Sequence, residues 1–222
     1  MGRSVVTRGV VRCDVCQFAT RWCTCAGVRT LDCPLQVDIL IHRREAWRPT
    51  STSRLLTRVL PAAVGHVFSK DLPLDRDRIV RPNRTLWILH PAGDLPPSPV
   101  APESLQVLLL DGSWREASRM RREVESWGRL IRLPPGTPSR YHLRNQHSDD
   151  RYSTAETLIL LLESLGLPDL ASALKLQFDL HVYAGLRSRG ALPEAEAFLA
   201  GTRLKAELST VLQDLRQRRR CA

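Results

Sequence analysis

A chain of 222 residues with 43% hydrophobic content is long enough to bury one full domain with a small appendage. It has no apolar run near the ~20 residues that a bilayer span needs, so a soluble, cytoplasmic protein without a membrane partner is expected. The net charge of +10, carried by 33 basic residues of which only Lys70, Lys175 and Lys205 are lysines, points to nucleic acid as a partner. Arginine suits bidentate phosphate contact, although such a bias also follows from genome base composition. The start, Met1 to Val11, lacks a signal-peptide core, and Val6 stands where a myristoylation site wants Ser or Thr.

Taken in order, the chain first presents Cys13, Cys16, Cys23 and Cys25 in the spacing C-x2-C-x6-C-x-C, with Cys33 and Cys221 apart. Close thiol pairs at both ends of a short loop read as a four-thiolate Zn2+ site of compact, knuckle-like form, with no open position for catalysis. A redox pair, an iron–sulfur site and reduced cysteines without metal remain as alternatives. Arg12, Arg21 and Arg29 are placed to offset the thiolate charge. Cys33 is expected in the core and Cys221 as a free thiol on the tail. Two units are expected: a cysteine segment over 1–34 and a main α/β domain with C-terminal helices and a basic tail over 35–222.

Leu35 to Ile41 reads as the first strand. His42-Arg43-Arg44-Glu45 follows, and Thr50-Ser51-Thr52-Ser53 then opens a helix that stops near Pro61. Hydroxyls at that position cap helices, or else offer a helix N-terminus to an anionic group. Thr85 to Leu89 is a strand ending at His90-Pro91, and the Pro-rich stretch from Gly93 to Pro102 is a stiff loop. Val107 to Leu110 suits a strand buried on both faces. Asp111 then stands at that strand's carboxyl end, Gly112 permits a tight turn, and Ser113 caps a helix running from Trp114 or Arg115 to about Trp127, with Glu116 in its first turn. Ligands of open α/β sheets bind outside the carboxyl ends of strands, which makes Asp111, Ser113 and Trp114 candidate site residues. Arg115, Arg119 and Arg122 share one face of the helix.

Arg129 to Leu133 reads as a further strand. The polar segment from Pro134 to Asp150 interleaves Tyr141 with Arg140 and Arg144, the composition of an RNA contact and also of an exposed loop. Ser153 to Glu156 fits a capping box before a helix that ends at Gly166 and Pro168. A long amphipathic stretch from Leu170 to Arg187, a helix over Leu192 to Ala200, and a last helix from Leu204 to the basic end complete the chain.

Three of these motifs, D-G-S-W at 111–114, the His/Glu strand end with T-S-T-S at 50–53, and S-T-x-E at 153–156, resemble the signatures of the DTW-domain family, the tRNA-uridine aminocarboxypropyltransferases. They occur in the family's order and behind a similar cysteine cluster. Arg140 to Arg144 is similar to the family's Y-x-L-R element. Ser113 replaces a Thr, Arg43 a frequent Pro, and Ser53 a Gly or Ala, where it stands to crowd a close backbone approach.

The resemblance implies a SPOUT-like α/β fold with a knotted ligand-binding region, S-adenosylmethionine as co-substrate and tRNA as partner, with no DNA expected. It implies transfer of the 3-amino-3-carboxypropyl group to uridine N3, releasing methylthioadenosine. On this reading Asp111 is the base or an electrostatic stabiliser, Ser113 an orienting hydroxyl and Trp114 a packing wall. Thr50, Thr52, Leu110, Asp111, Ser153, Thr154 and Glu156 would hold the co-substrate, and Arg115, Arg119, Arg140, Tyr141 and Arg144 the RNA. A SPOUT-like RNA methyltransferase and a non-enzymatic zinc-containing RNA-binding module are the rival readings.

Overall fold

The central apolar run is unbroken because both of its faces are covered: Leu105, Val107 and Leu109 enter one hydrophobic core and Leu108 the other. The computed structural model describes residues 10–97, 100–134, 136, 138–143 and 152–218. Its five strands are β1 (Gln36–His42), β2 (Val64–Phe68), β3 (Thr85–Asp94), β4 (Leu105–Asp111) and β5 (Arg129–Ile131). They pair in parallel in the order β2-β1-β4-β3-β5.

Helices α1 (Thr52–Val59), α4 (Thr154–Ser164) and α5 (Pro168–Ser188) contribute to the larger core, with Val37 and Ile39 of β1 and Trp87 and Leu89 of β3. On the other face, α2 (Arg76–Ile79) and α3 (Trp114–Val124) contribute Ile79, Met120 and Val124 against Leu40, Ile88 and Leu108. The fold is therefore α/β, as expected, with helices on both faces of a five-stranded parallel sheet. C-terminal helices α6 (Leu192–Ala200), α7 (Leu204–Glu207) and α8 (Ser209–Gln217) add Phe198, Leu204, Leu212 and Leu215 to the larger core.

Several elements depart from the sequence reading. Strand β2 was not expected, because it is a half-exposed edge strand interrupted by Gly65, with Val67 59% exposed. Strand β3 runs past His90 to Asp94, with a bulge between Leu89 and Asp94, both of which pair with Ile131. Pro91 interrupts the ladder there. Gly93 is required by close approach, since a Cβ at that position would lie 2.6 Å from the β5 backbone. The last helix breaks at Leu208 into α7 and α8.

Helix α5 is not amphipathic: every residue from Leu176 to Leu186 is buried, because α1 and α4, the cysteine segment and the C-terminal helices all pack around it. Its buried Gln177 is satisfied by the Arg29 N–H and the Gly27 carbonyl, each at 3.3 Å. The cysteine segment has no core of its own. Cys16, Phe18 and Trp22 belong to the main core, and Phe18 lies 4.9 Å from the ring of His181 on α5.

No helix among the described residues is long and apolar enough to cross a membrane.

Candidate functional site

Strand order creates the crevice. From β1 the chain passes through α1 to β2 on one side, whereas from β4 it passes through α3 across β3 to β5 on the other. The carboxyl ends of β1 and β4, where Ile41 pairs with Asp111, are thus a topological switch point, the place where open α/β sheets bind ligands.

Asp111 is 4% exposed there. One of its oxygens accepts the Thr154 hydroxyl at 2.7 Å, and the other accepts the Ser51 hydroxyl at 3.3 Å. The Ser51 and Ser53 hydroxyls lie 2.5 Å apart. A hydroxyl has one proton to donate, so with Ser51 donating to Asp111, Ser53 donates to Ser51. This relay removes Ser51 from capping: it is the N-cap residue of α1, yet its side chain makes no cap bond. Ser53 is buried and aimed inward at Ser51, so it does not crowd the crevice. The three motifs, far apart in the chain, therefore meet at one carboxylate.

Around this point the other sequence candidates divide. Thr52 is buried, and its hydroxyl accepts the Ala155 N–H at 3.4 Å, tying the start of α1 to the start of α4. Thr50 contributes its carbonyl, which accepts the Tyr141 hydroxyl. Ser153 is a true N-cap: its hydroxyl accepts the Glu156 N–H at 3.3 Å, while Glu156 accepts the Ser153 N–H at 2.8 Å. Glu156 also binds the Ser139 hydroxyl at 2.8 Å and the Arg140 N–H at 2.7 Å, so one side chain both caps α4 and fixes the 139–141 segment. Leu110 is half-buried and packs toward the α3 side of the sheet.

Two of the RNA candidates make contacts within the protein itself. Tyr141 is 5% exposed, with its ring 6.2 Å from Phe178, so it is packed inside and offers no face to a base. Arg140 stacks its guanidinium 4.9 Å over Phe198 and donates to the Gly201 carbonyl at 2.9 Å, which packs it against the C-terminal helices. Arg115 and Arg119 are exposed on α3. Arg144 lies outside the described residues.

At the start of α3, Ser113 donates its N–H to Glu116 at 2.8 Å. Trp114 is 39% exposed and sits edge-on to His90 with centroids 6.5 Å apart. Burial works against ionisation of Glu116, but the Ser113 N–H and hydroxyl, then His42 and Arg44, outweigh it and leave its pKa lowered. His42 Nδ1 lies 3.1 Å from that carboxylate. His90 has its pKa lowered by burial and by Arg121, which favours the neutral ring. Sequence reasoning missed Ser51 as an Asp111 partner and His90 as a neighbour of Trp114; the Pro91/Gly93 interruption was the available signal for the bulge that carries His90.

The four sulfur atoms of Cys13, Cys16, Cys23 and Cys25 all lie within 4.8 Å of one another, with Cys13 and Cys25 3.7 Å apart. A tetrahedral Zn–thiolate centre with bonds of ~2.3 Å has sulfur–sulfur edges of about 3.8 Å, so the donor set fits such an ion. The first pair sits on a tight turn in which Gln17 takes φ 62° and its N–H binds the Cys13 carbonyl at 2.8 Å. Burial opposes ionisation of Cys13, but the N–H groups of Cys16 and Val15 and the neighbouring thiols bring it down to about 6. The guanidinium found at a thiol is that of Arg58 on α1, 3.5 Å from Cys25. Arg12, Arg21 and Arg29 instead engage the Gln17 carbonyl, the Trp22 ring and the Glu207 carbonyl.

A hollow lined by Leu31, Cys33, Leu35, Val37, Leu60 and Ala63 lies at the opposite end of β1 and touches none of the three motifs. Cys33 there is half-buried, and burial raises its pKa. Convergent polar groups, rather than hollow size, make the switch point the candidate site. Compared with known proteins, the family model described as the DTW domain matches residues 10–184. No solved structure matches the chain.

Proposed function

Because the chain belongs to the DTW-domain family, we propose that it is an S-adenosylmethionine-dependent tRNA-uridine aminocarboxypropyltransferase. The observation that carries this reading is the meeting of Ser51, Asp111 and Thr154 in one hydrogen-bonded unit at the switch point. Bound S-adenosylmethionine would supply an activated sulfonium, whose propyl carbon uridine N3 would attack as the C–S bond breaks with its electron pair passing to sulfur; methylthioadenosine would leave and the N3 proton would pass to solvent water. What remains for the protein is orientation and charge.

Asp111 is assigned to positioning and electrostatic stabilisation rather than to proton abstraction, since it is nearly buried and already accepts two hydroxyls. In that role its negative charge favours a sulfonium or an amino group nearby. The first-turn N–H groups of α1, left uncapped by the Ser51 side chain, suit the co-substrate's carboxylate. Trp114 and Ser113, exposed at the crevice edge, are assigned to the incoming uridine. The contacts of Tyr141 with Thr50 and of Thr154 with Asp111 place both flanks of the segment after β5 at this crevice, where a SPOUT-like fold would hold the co-substrate. Zn2+ held by Cys13, Cys16, Cys23 and Cys25 is assigned a structural role, because four thiolates leave no open position.

Incubation of the purified protein with S-adenosylmethionine and unmodified tRNA, followed by mass spectrometry, tests the reading. An aminocarboxypropyl increment on uridine with released methylthioadenosine is expected. A methyl increment with S-adenosylhomocysteine would replace the reaction with methyl transfer. Absence of both products, despite RNA binding, would leave an RNA-binding module.

A further inference from the structure

Trp47, in the loop between β1 and α1, is 84% exposed, the most exposed of the large hydrophobic residues described. Full exposure of an indole forfeits the burial that normally makes Trp a core or interface residue. A floppy loop is not the reason. The Glu45 and Ala46 N–H groups both bind the His42 carbonyl, at 2.7 and 3.3 Å, and Arg48 and Ser51 make further turn bonds of 3.0 Å each. Glu45 is fully buried and paired with Arg48 at 3.1 Å, and the Arg54 guanidinium donates to the Ala46 carbonyl. The ring is therefore held out on a pinned scaffold.

Its flanks are basic. The side chains of Arg43, Arg44 and Arg48 are 61%, 75% and 51% exposed. Their acidic partners are Asp71 at 3.6 Å, Glu116 at 3.9 Å and the buried Glu45. A guanidinium has five donors, so a single ion pair, long for Arg43 and Arg44 and made to the buried Glu45 for Arg48, leaves each arginine with donors able to meet phosphate. Trp47 also lies only four residues before Ser51, which places it within about 14 Å of the Asp111 contact along the chain, the reach of a nucleotide or two.

We propose that Trp47 is a stacking platform for an unpaired base of the substrate RNA, flanked by arginines that hold the adjacent phosphates. A lone aromatic among arginines is the composition of single-strand recognition; a protein partner would call for a broad apolar patch. The inference rests on RNA being the substrate and adds the element that selects an unpaired region near the target uridine.

The test uses the full-length, zinc-loaded protein with an unmodified tRNA transcript and a fully paired RNA of equal length. Trp47→Ala is expected to weaken tRNA binding and raise KM for tRNA at least about fivefold, with Trp47→Phe restoring most of it. KM for S-adenosylmethionine and affinity for the paired RNA should stay within twofold, and the melting temperature should not move. Unchanged tRNA affinity and KM in Trp47→Ala would overturn the proposal, as would an equal loss of paired-RNA binding. If wild type makes the aminocarboxypropyl product and Trp47→Ala does so with wild-type KM, only the stacking proposal fails. If tRNA binding depends on Trp47 but no product forms, only the reaction fails.

Discussion

Asp111 holds three segments through two hydroxyl hydrogen bonds in a site 4% exposed. Asp111→Asn turns one acceptor into a donor that faces a hydroxyl, and it removes the negative charge. The expected result is a loss of about 100-fold or more in transfer rate, read by nucleoside mass spectrometry, with a stability cost of about 1–3 kcal/mol, read by denaturant melts. Retention of near-wild-type rate would end both the electrostatic and the positioning role. Glu116 gives a pH signature. Its pKa is lowered in the folded state from an ordinary 4.5, so its contribution is whole above that value and is lost as pH falls through the lowered one. The stability lead of wild type over Glu116→Gln should be flat above about pH 5 and shrink below it. A lead that grows on acidification would contradict the assignment.

Among elements, the cysteine segment and α5 are expected to unfold together, because Phe18 and Trp22 are buried in the main core and the Arg187 guanidinium lies 4.6 Å over Trp22. Metal analysis is expected to find one zinc per chain, and a strong chelator should lower the melting temperature by about 10 °C or more. A melt indifferent to chelator, with no zinc found, would return the cluster to a redox or metal-free reading. Helix α5 also reaches the site through Phe178 and Tyr141, whose hydroxyl holds the Thr50 carbonyl. Phe178→Ala should cost about 3–5 kcal/mol and, at temperatures where the variant is folded, weaken S-adenosylmethionine binding measured by calorimetry.

For the molecule as a whole, the net charge of +10 predicts salt-sensitive RNA binding. If Arg43, Arg44, Arg48, Arg115 and Arg119 each meet one phosphate, log affinity for tRNA should fall against log salt with a slope of about −4. That corresponds to a loss of a few hundredfold between 50 and 200 mM salt. Trp47→Ala should shift that line without changing its slope, because stacking releases no counterions. The basic balance does not distribute itself evenly over function, however. Arg140 packs on Phe198 and donates to the Gly201 carbonyl and Arg218 donates to the Cys23 carbonyl, so part of the basic balance serves the fold as well as the proposed RNA contact.

What could be read from the chain was whatever local chemistry decides. The strand over Val107–Leu110 announced itself because a strand covered on both faces must be apolar throughout, and the Ser153–Glu156 cap because capping acts within one turn. The four-cysteine cluster was legible because thiols at such short spacings are brought together by one or two tight turns. Strand β2 and the bulge after Leu89 were not, since a half-exposed edge strand and a Pro-Gly interruption carry weak local signals. Helix α5 was misread as amphipathic because its burial comes from three separate neighbours rather than one. The DTW motifs marked the segments of the candidate site, but the contact of Asp111 with Ser51 and Thr154, 60 and 43 positions away, and the burial of Tyr141 against Thr50, 91 positions away, were decided only by tertiary structure. Sheet order and the packing of α4 and α5 bring those loops together, and such long-range closures depend on which faces are buried against each other rather than on any local preference.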